Sequence, residues 1–393
     1  MRWLSWGSDQ YGQASGRVDE RDEDLLVPVE WEAEGIEGEV AEVQAGGSHS
    51  LVRLASGRLL SFGSDACGQL GRSTKSDRNV GQVEVDGRAS CAAAGHAHSL
   101  MIDVDGVGYA WGGNRHDECL PTLSAAPHST DMHQSPIVSR PTRIFPASTE
   151  PLVRVAAGVR HSLACTASGR VLAWGCNQHG QLELESALTA AASLRSSPES
   201  WQEAVRAGHY HFYDVAAGRQ HSAALVHTPE WSLLLAAGRL PGYAGVEAIP
   251  RTGGRWHHVS SGWSHVAAVS VHADHTVRVR VLGRDRFGQG SADGLQTRLH
   301  LPVSAEAPTT PRGMLHVRCG AESTLLVDAD GRVFACGWNE HGNLGCGDRR
   351  DRHCLTPVTA LRVRYAAEEA AGVLQRSRPL LSAGGAHVVA VGE

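Results

Sequence analysis

Gly158-Val159-Arg160-His161 opens a stretch that runs through Ser162-Leu163-Ala164-Cys165-Thr166, turns at Ser168-Gly169, and returns along Val171-Leu172-Ala173-Trp174-Gly175. Two short apolar segments joined by a glycine turn read as a β-hairpin, because glycine supplies the positive φ that a tight turn requires. A hairpin this small cannot bury both of its faces alone, so its neighbours in the sequence decide the architecture.

Those neighbours are copies of it. The Gly-x-x-His element recurs at residues 46–49, 95–98, 218–221, 262–265 and 384–387, with Gly320-Ala321-Glu322-Ser323 as a degenerate version, seven in all. The strand that ends in glycine also occurs seven times, at Gly7, Gly63, Gly112, Gly175, Gly238, Gly283 and Gly337. In four units the two glycines lie 17 residues apart, and further hairpin turns fall at Ser56-Gly57, Asp105-Gly106 and Asp330-Gly331. The first unit has only its glycine strand, at Gly7, and the last has only Gly384-x-x-His387 followed by Val388-Val389-Ala390-Val391. Head and tail therefore complete one unit between them. Radial stacking of such units predicts an all-β, seven-bladed β-propeller, a single domain over residues 1–393, closed by pairing of its N- and C-terminal strands.

The bulk numbers agree and narrow the function. Hydrophobic residues make up 41% of the 393-residue chain, enough for a core, and its 45 glycines suit many turns. The net charge is −6 with no block of Lys and Arg, so nucleic acid is disfavoured as a partner. No stretch of about 18 apolar residues is present, so no membrane span is expected. The N-terminus lacks the apolar run of a secretory signal. Nine scattered cysteines with no C-x-x-C pair fit reduced thiols, and hence the cytoplasm or nucleus. There is no Gly-x-Ser-x-Gly elbow, phosphate-binding loop or His-Glu-x-x-His, so the chain reads as non-enzymatic, with no cofactor.

Of the 22 histidines, six hold the repeated position, where an inward-facing imidazole can hydrogen-bond the neighbouring blade. His209-Tyr210-His211 and His257-His258 are the remaining close pairs, and neither has a cysteine or carboxylate at ligand spacing, so no metal site is expected. Among the connections, residues 113–151 and 291–312 read as surface loops, and 183–207 as a partly ordered loop with a short helix as the alternative. The two residues inside each Gly-x-x-His vary while the frame is constant, which suits a binding rim. Trp263, Arg160 and Arg219 are the expected anchors there, since Trp and Arg dominate interface energetics, with His96 and Glu322 on the same rim. Trp338, Glu340 and His341 form a second candidate patch. Trp111 and Trp174 precede a strand-end glycine and read as core.

The segments Trp174-Gly175-Cys176-Asn177-Gln178-His179-Gly180-Gln181-Leu182 and Gly337-Trp338-Asn339-Glu340-His341-Gly342-Asn343-Leu344-Gly345 resemble the W-G-x-N-x-x-G-Q-L-G signature of the regulator-of-chromosome-condensation repeat family. The resemblance covers essentially the whole chain. The fourth and fifth units depart from the pattern at Ala237-Gly238-Arg239-Leu240-Pro241 and Gly283-Arg284-Asp285-Arg286-Phe287. In these features the chain is similar to a fungal branch, the alpha-tubulin suppressor or killer-toxin-insensitivity propeller. That branch implies a protein partner, a small CSL-type zinc protein, in diphthamide synthesis and Elongator-dependent modification of the tRNA wobble uridine. The founding member implies instead a guanine-nucleotide exchange factor for a Ran-type small GTPase, and other members a chromatin-associated adaptor. A tryptophan-based light sensor is disfavoured, because only Trp263 follows a Gly-x-x-His glycine.

Overall fold

In a computed structural model of the chain, each Gly-x-x-His joins the two innermost strands of an antiparallel sheet. The residues described are 2–15, 24–31, 36–73, 80–121, 137–145, 150–193, 199–243, 245–274, 276–289, 298–299, 316–366 and 378–392. Seven sheets result. Blade 1 comprises Val40–Ala45, His49–Leu54, Leu59–Gly63 and Gly81–Gln82 from the axis to the rim. The innermost strands of blades 2 to 6 are Ala89–Ala94, Leu152–Ala157, His211–Ala217, Gly254–Ser261 and His316–Cys319. Blade 7 is composite: Leu381–Ala383 and His387–Gly392 come from the C-terminal part, and Arg2–Gly7 and Leu25–Trp31 from the N-terminal part. Arg2 pairs with Gly392 and Gly7 with His387, so the expected closure is present residue by residue.

Apolar faces are buried between blades rather than within them. Leu100, Ile102 and Ala110 of blade 2 share a cluster with Val155, Ala164 and Trp174 of blade 3, and Leu4 and Trp6 of blade 7 pack with Leu325, Val333 and Leu344 of blade 6. Each large side chain buried in this way stabilises the ring by about 1.5–3 kcal/mol. Trp111 and Trp174 are buried as expected, and their indole N–H groups donate to the carbonyls of Gln69 and Glu118 in the preceding blade at 2.8 and 2.9 Å.

A collar of side chains links the blades. The Nε2 atoms of His49, His98 and His161 lie 2.8, 2.9 and 2.9 Å from the hydroxyls of Ser99, Ser162 and Ser222 in the next blade, and His387 closes onto Ser50 at 3.0 Å. Each of these serines gives its one proton to a backbone carbonyl, as Ser162 does to Glu118 at 2.6 Å. The hydroxyl must therefore accept, and the imidazole carries its proton on Nε2. His221 and His265 use Ser261 and Thr324 instead, at 2.9 and 3.0 Å. Blade 6 has Ser323 in place of histidine, and the residue its imidazole would have met in blade 7 is Val388 rather than serine. Donor and acceptor have been lost together, so no polar atom is stranded there.

Two glycines of the opening repeat show why the motif needs that residue. Gly169 turns the hairpin at φ +86°, a backbone conformation costly for any side chain. Gly158 has ordinary dihedrals, but a Cβ there would lie 2.6 Å from the Gly218 carbonyl oxygen and 2.7 Å from the His161 ring. It is glycine for close approach of blades.

Blade 3 has three strands among the described residues. The connection read as a partly ordered loop instead holds two helices, α1 (Leu184–Ala192) and α2 (Glu199–Arg206). The alanine-rich sequence of α1 favours helix, and Leu184, Leu188, Ala191 and Ala192 form its buried stripe, packed with Leu233 and Leu235 of blade 4. Trp201, Ala204 and Val205 are the buried residues of α2, and Trp201 and Val205 join the same cluster. The stretch 113–151, read as a surface loop, instead holds the outer strand of blade 2, Ile137–Arg143, paired with Gly108–Gly113, while most of 291–312 lies outside the described residues.

Candidate functional site

The turns between the two innermost strands meet around the propeller axis, and their backbones are joined in a closed ring of hydrogen bonds. Gly47 donates to Gly95, His96 to Gly158, Val159 to Gly218, Arg219 to Trp263, Trp263 to Ala321, Ala321 to Gly384, and Gly385 to Gly46, at 2.7–3.3 Å. The residue before each of these glycines is Ala, Ser or Cys in all seven copies, so the channel narrows to a neck lined by small side chains. Because the ring pins the backbone, residues at the turns stand on a rigid collar.

Four of the expected site residues converge on one side of this neck. His96, Arg160, Arg219 and Trp263 line a single groove of about 890 Å³, together with Arg115, His116, Glu118, Ile137 and Val159. The His96 and Trp263 rings meet edge to face, centroids 5.8 Å apart, although their blades are three positions apart in a ring of seven. The two side chains therefore reach across the channel mouth instead of radiating from it. Burial, then the neighbouring Arg160 and Arg219, lowers the pKa of His96 below its ordinary value. His96, Arg160 and Arg219 are exposed, and Trp263 is half-buried. No hydrogen bond or ion pair to a described residue engages the guanidinium of Arg115, Arg160 or Arg219. An anionic surface with an apolar anchor is the chemistry this groove can accept.

Glu322 lies beyond the groove lining. The Ser264 hydroxyl and the Gln289 amide, the latter at 2.8 Å, both donate to its carboxylate. Burial raises its pKa, opposed by the Ser264 hydrogen bond and the charges of Arg284 and Arg219. Trp338 and His341 form a separate patch, rings 5.3 Å apart, in which His341 Nδ1 sits 3.2 Å from Asp24 ahead of the outer strand of blade 7. Arg349 pairs with the same Asp24 at 2.9 Å. Glu340 is exposed beside them.

The opposite end of the channel went unnoticed in the motif reading. Glu42, Arg154, Asp214 and His258 each lie four residues before the glycine of a Gly-x-x-His, and Arg318 two before Gly320; with Arg378 they line one cavity. His258 has no carboxylate near it in sequence, but Asp214 lies 3.1 Å from its Nδ1 in space. Arg318 Nη1 approaches His258 Nε2 at 2.6 Å, and the Val317 carbonyl lies 3.1 Å from both. With the imidazole proton on Nδ1, facing Asp214, Nε2 accepts from Arg318 and the carbonyl is satisfied by the same guanidinium. Burial lowers the His258 pKa to about 4, against the Asp214 hydrogen bond that raises it. The available signal was a charged residue within an apolar inner strand. Among the described residues, no three His, Cys, Asp or Glu side chains are grouped to hold a metal ion, and no helix is long and apolar enough to cross a membrane.

Comparison with known proteins places this geometry. The human regulator of chromosome condensation is 26% identical over 338 residues, covering 81% of this chain and 76% of that protein. The bovine secretion-regulating guanine nucleotide exchange factor is 28% identical over 395 residues, covering 91% and 79%. Among solved structures, Prp20p from Saccharomyces cerevisiae, described with its binding to Gsp1p and histones, superposes with a TM-score of 0.68 at 17% identity. That superposition covers 100% of this chain and 91% of that one. By name, these two curated relatives are a regulator and an exchange factor. A family model for the RCC1-like domain matches residues 2–390, the same span over which the seven blades close, and the chain belongs to that family.

Proposed function

We propose that residues 1–393 form a single, non-enzymatic propeller domain that binds a partner protein through the groove of His96, Arg160, Arg219 and Trp263. One observation carries the reading: Arg115, Arg160 and Arg219, with Glu118 the one carboxylate among the described lining residues, make no ion pair or side-chain hydrogen bond to a described residue around a half-buried tryptophan, on a collar fixed by seven backbone hydrogen bonds. A rigid aromatic anchor among unpaired guanidiniums costs little to immobilise on binding. Glu322, beyond the groove lining, and the Trp338, Glu340 and His341 patch are secondary contacts.

The partner best supported is a small GTPase of the Ran type, with nucleotide exchange as the outcome; the relative named as a guanine nucleotide exchange factor and the neighbour described with its binding to Gsp1p favour it. The fungal-branch similarity supports a second partner, a small CSL-type zinc protein of diphthamide synthesis and wobble-uridine modification, the metal residing on that protein. Either places the chain in the cytoplasm or nucleus. The test measures binding of both purified partners by titration calorimetry, and nucleotide release from the GTPase. Trp263→Ala weakens the true complex by about 30-fold, the loss of a hot-spot anchor. Equal affinity of wild type and Trp263→Ala for whichever partner binds removes this groove from the account.

A further inference from the structure

We propose that the channel end opposite the mouth is a binding site for a small oxyanion of the phosphate class, held by Arg154, Arg318 and Arg378. Arg154 projects from the innermost strand of blade 3, Arg318 from that of blade 6, and Arg378 lies just ahead of that of blade 7; all three line one cavity of about 170 Å³. At roughly 30 Å³ per water, that space holds a tetrahedral anion with a few of its hydration waters.

The charges in this cavity do not balance. Its carboxylates are Glu42 and Asp214. Glu42 is paired with Arg53 at 3.2 Å and accepts a further hydrogen bond from Gln44 at 2.9 Å. Asp214 accepts from the His258 imidazole at 3.1 Å and from the Val259 backbone N–H at 3.2 Å. The three guanidiniums make no ion pair with a described residue. Arg318 donates to the carbonyls of Leu381 and Val317 and to the neutral His258 ring, and Arg154 to the carbonyl of Val153. For Arg378 no side-chain partner is found among the described residues. Burial, then the charge of Arg378, lowers the pKa of Arg318 to about 10, in keeping with like charges held close. Holding partly buried cations side by side without compensation is costly, and the donors left over converge from three blades on one half-open cavity. An oxyanion supplies both the charge and the acceptor atoms, and arginine forks match its geometry. Asp214 and His258 orient Arg318 and are positioning residues.

The experiment uses the full chain, with thermal unfolding and calorimetric titration of inorganic phosphate against chloride at matched ionic strength. A phosphate monoester serves as a second arm, to separate free phosphate from a phosphorylated small molecule. Wild type is expected to show a saturable rise in Tm with phosphate or the monoester, and affinity at least tenfold weaker in Arg378→Gln and in Arg154→Gln. In phosphate-free buffer, Arg378→Gln should be as stable as wild type or more so, because a repelling charge beside Arg318 has gone. A response reproduced by chloride overturns the proposal, as does a phosphate response unchanged in both variants. So does a Tm of Arg378→Gln well below wild type without phosphate, which would make Arg378 a structural contact.

Discussion

The two ends of the central channel are carried by the same inner strands, yet they follow different rules. At the mouth, His96, Arg160, Arg219 and Trp263 stand on turns, three of them exposed, and the backbone ring holds whatever side chains they carry. At the far end, Asp214, His258 and Arg318 project from within strands and are locked by hydrogen bonds between blades. Between them run the neck of small residues and the histidine collar. A turn position can vary at little cost because its side chain faces water. A strand position facing the axis must satisfy its polar atoms inside the protein. Stability should therefore be sensitive at one end and indifferent at the other.

The collar gives the largest expected effect. Burial lowers the pKa of His49, His98, His161, His265 and His387 to about 3, and that of His221 to about 4. The unfolded chain protonates them near 6.5, so between these values it binds more protons than the folded chain. Their contribution is complete above pH 6.5 and falls with pH by about 1.4 kcal/mol per unit for each histidine. Circular dichroism should show cooperative acid unfolding with a midpoint above about pH 4, since a domain has only about 5–15 kcal/mol to lose. A chain still folded at pH 3 would mean that the collar opens to water.

The far end comes next. Asp214→Asn should cost about 3 kcal/mol in urea denaturation, because it leaves Arg318 and its neighbours with less compensating charge in a buried site. A loss below about 1 kcal/mol would erase the contrast with the mouth. Smaller still is the coupling at the irregular blade. Ser323→His alone strands an imidazole against Val388, whereas adding Val388→Ser rebuilds the pair found in blades 1 to 3. A double-mutant cycle should return about 1 kcal/mol of favourable interaction, and zero coupling would deny that the two departures compensate. Least of all, Arg160→Gln at the mouth should shift stability by less than about 0.5 kcal/mol.

The repeat made much of this readable in advance. Gly-x-x-His announced the blade count, the chain ends announced the closure, and the histidine's contact with the next blade was expected from its recurrence. The rim residues were readable because their frame repeats while they vary. A short helix at 183–207 stood only as the alternative to a loop because the alanine-rich stretch at 184–192 interrupts the repeat, and its amphipathic stripe matters only once blade 4 offers a surface. The Asp214–His258–Arg318 chain was invisible because its members are separated by 44 and 60 residues.

Short-range chemistry was written into the chain order: hairpin glycines, apolar strands and glycine-histidine frames act over a few residues and need no partner to be recognised. Closure of the ring settled what no local pattern could. Bringing seven inner strands to one axis sets His96 against Trp263 across the mouth and gathers arginines from three blades into one cavity. Distances across an axis depend on how many blades stack and how closely they approach, which is a property of the assembled ring.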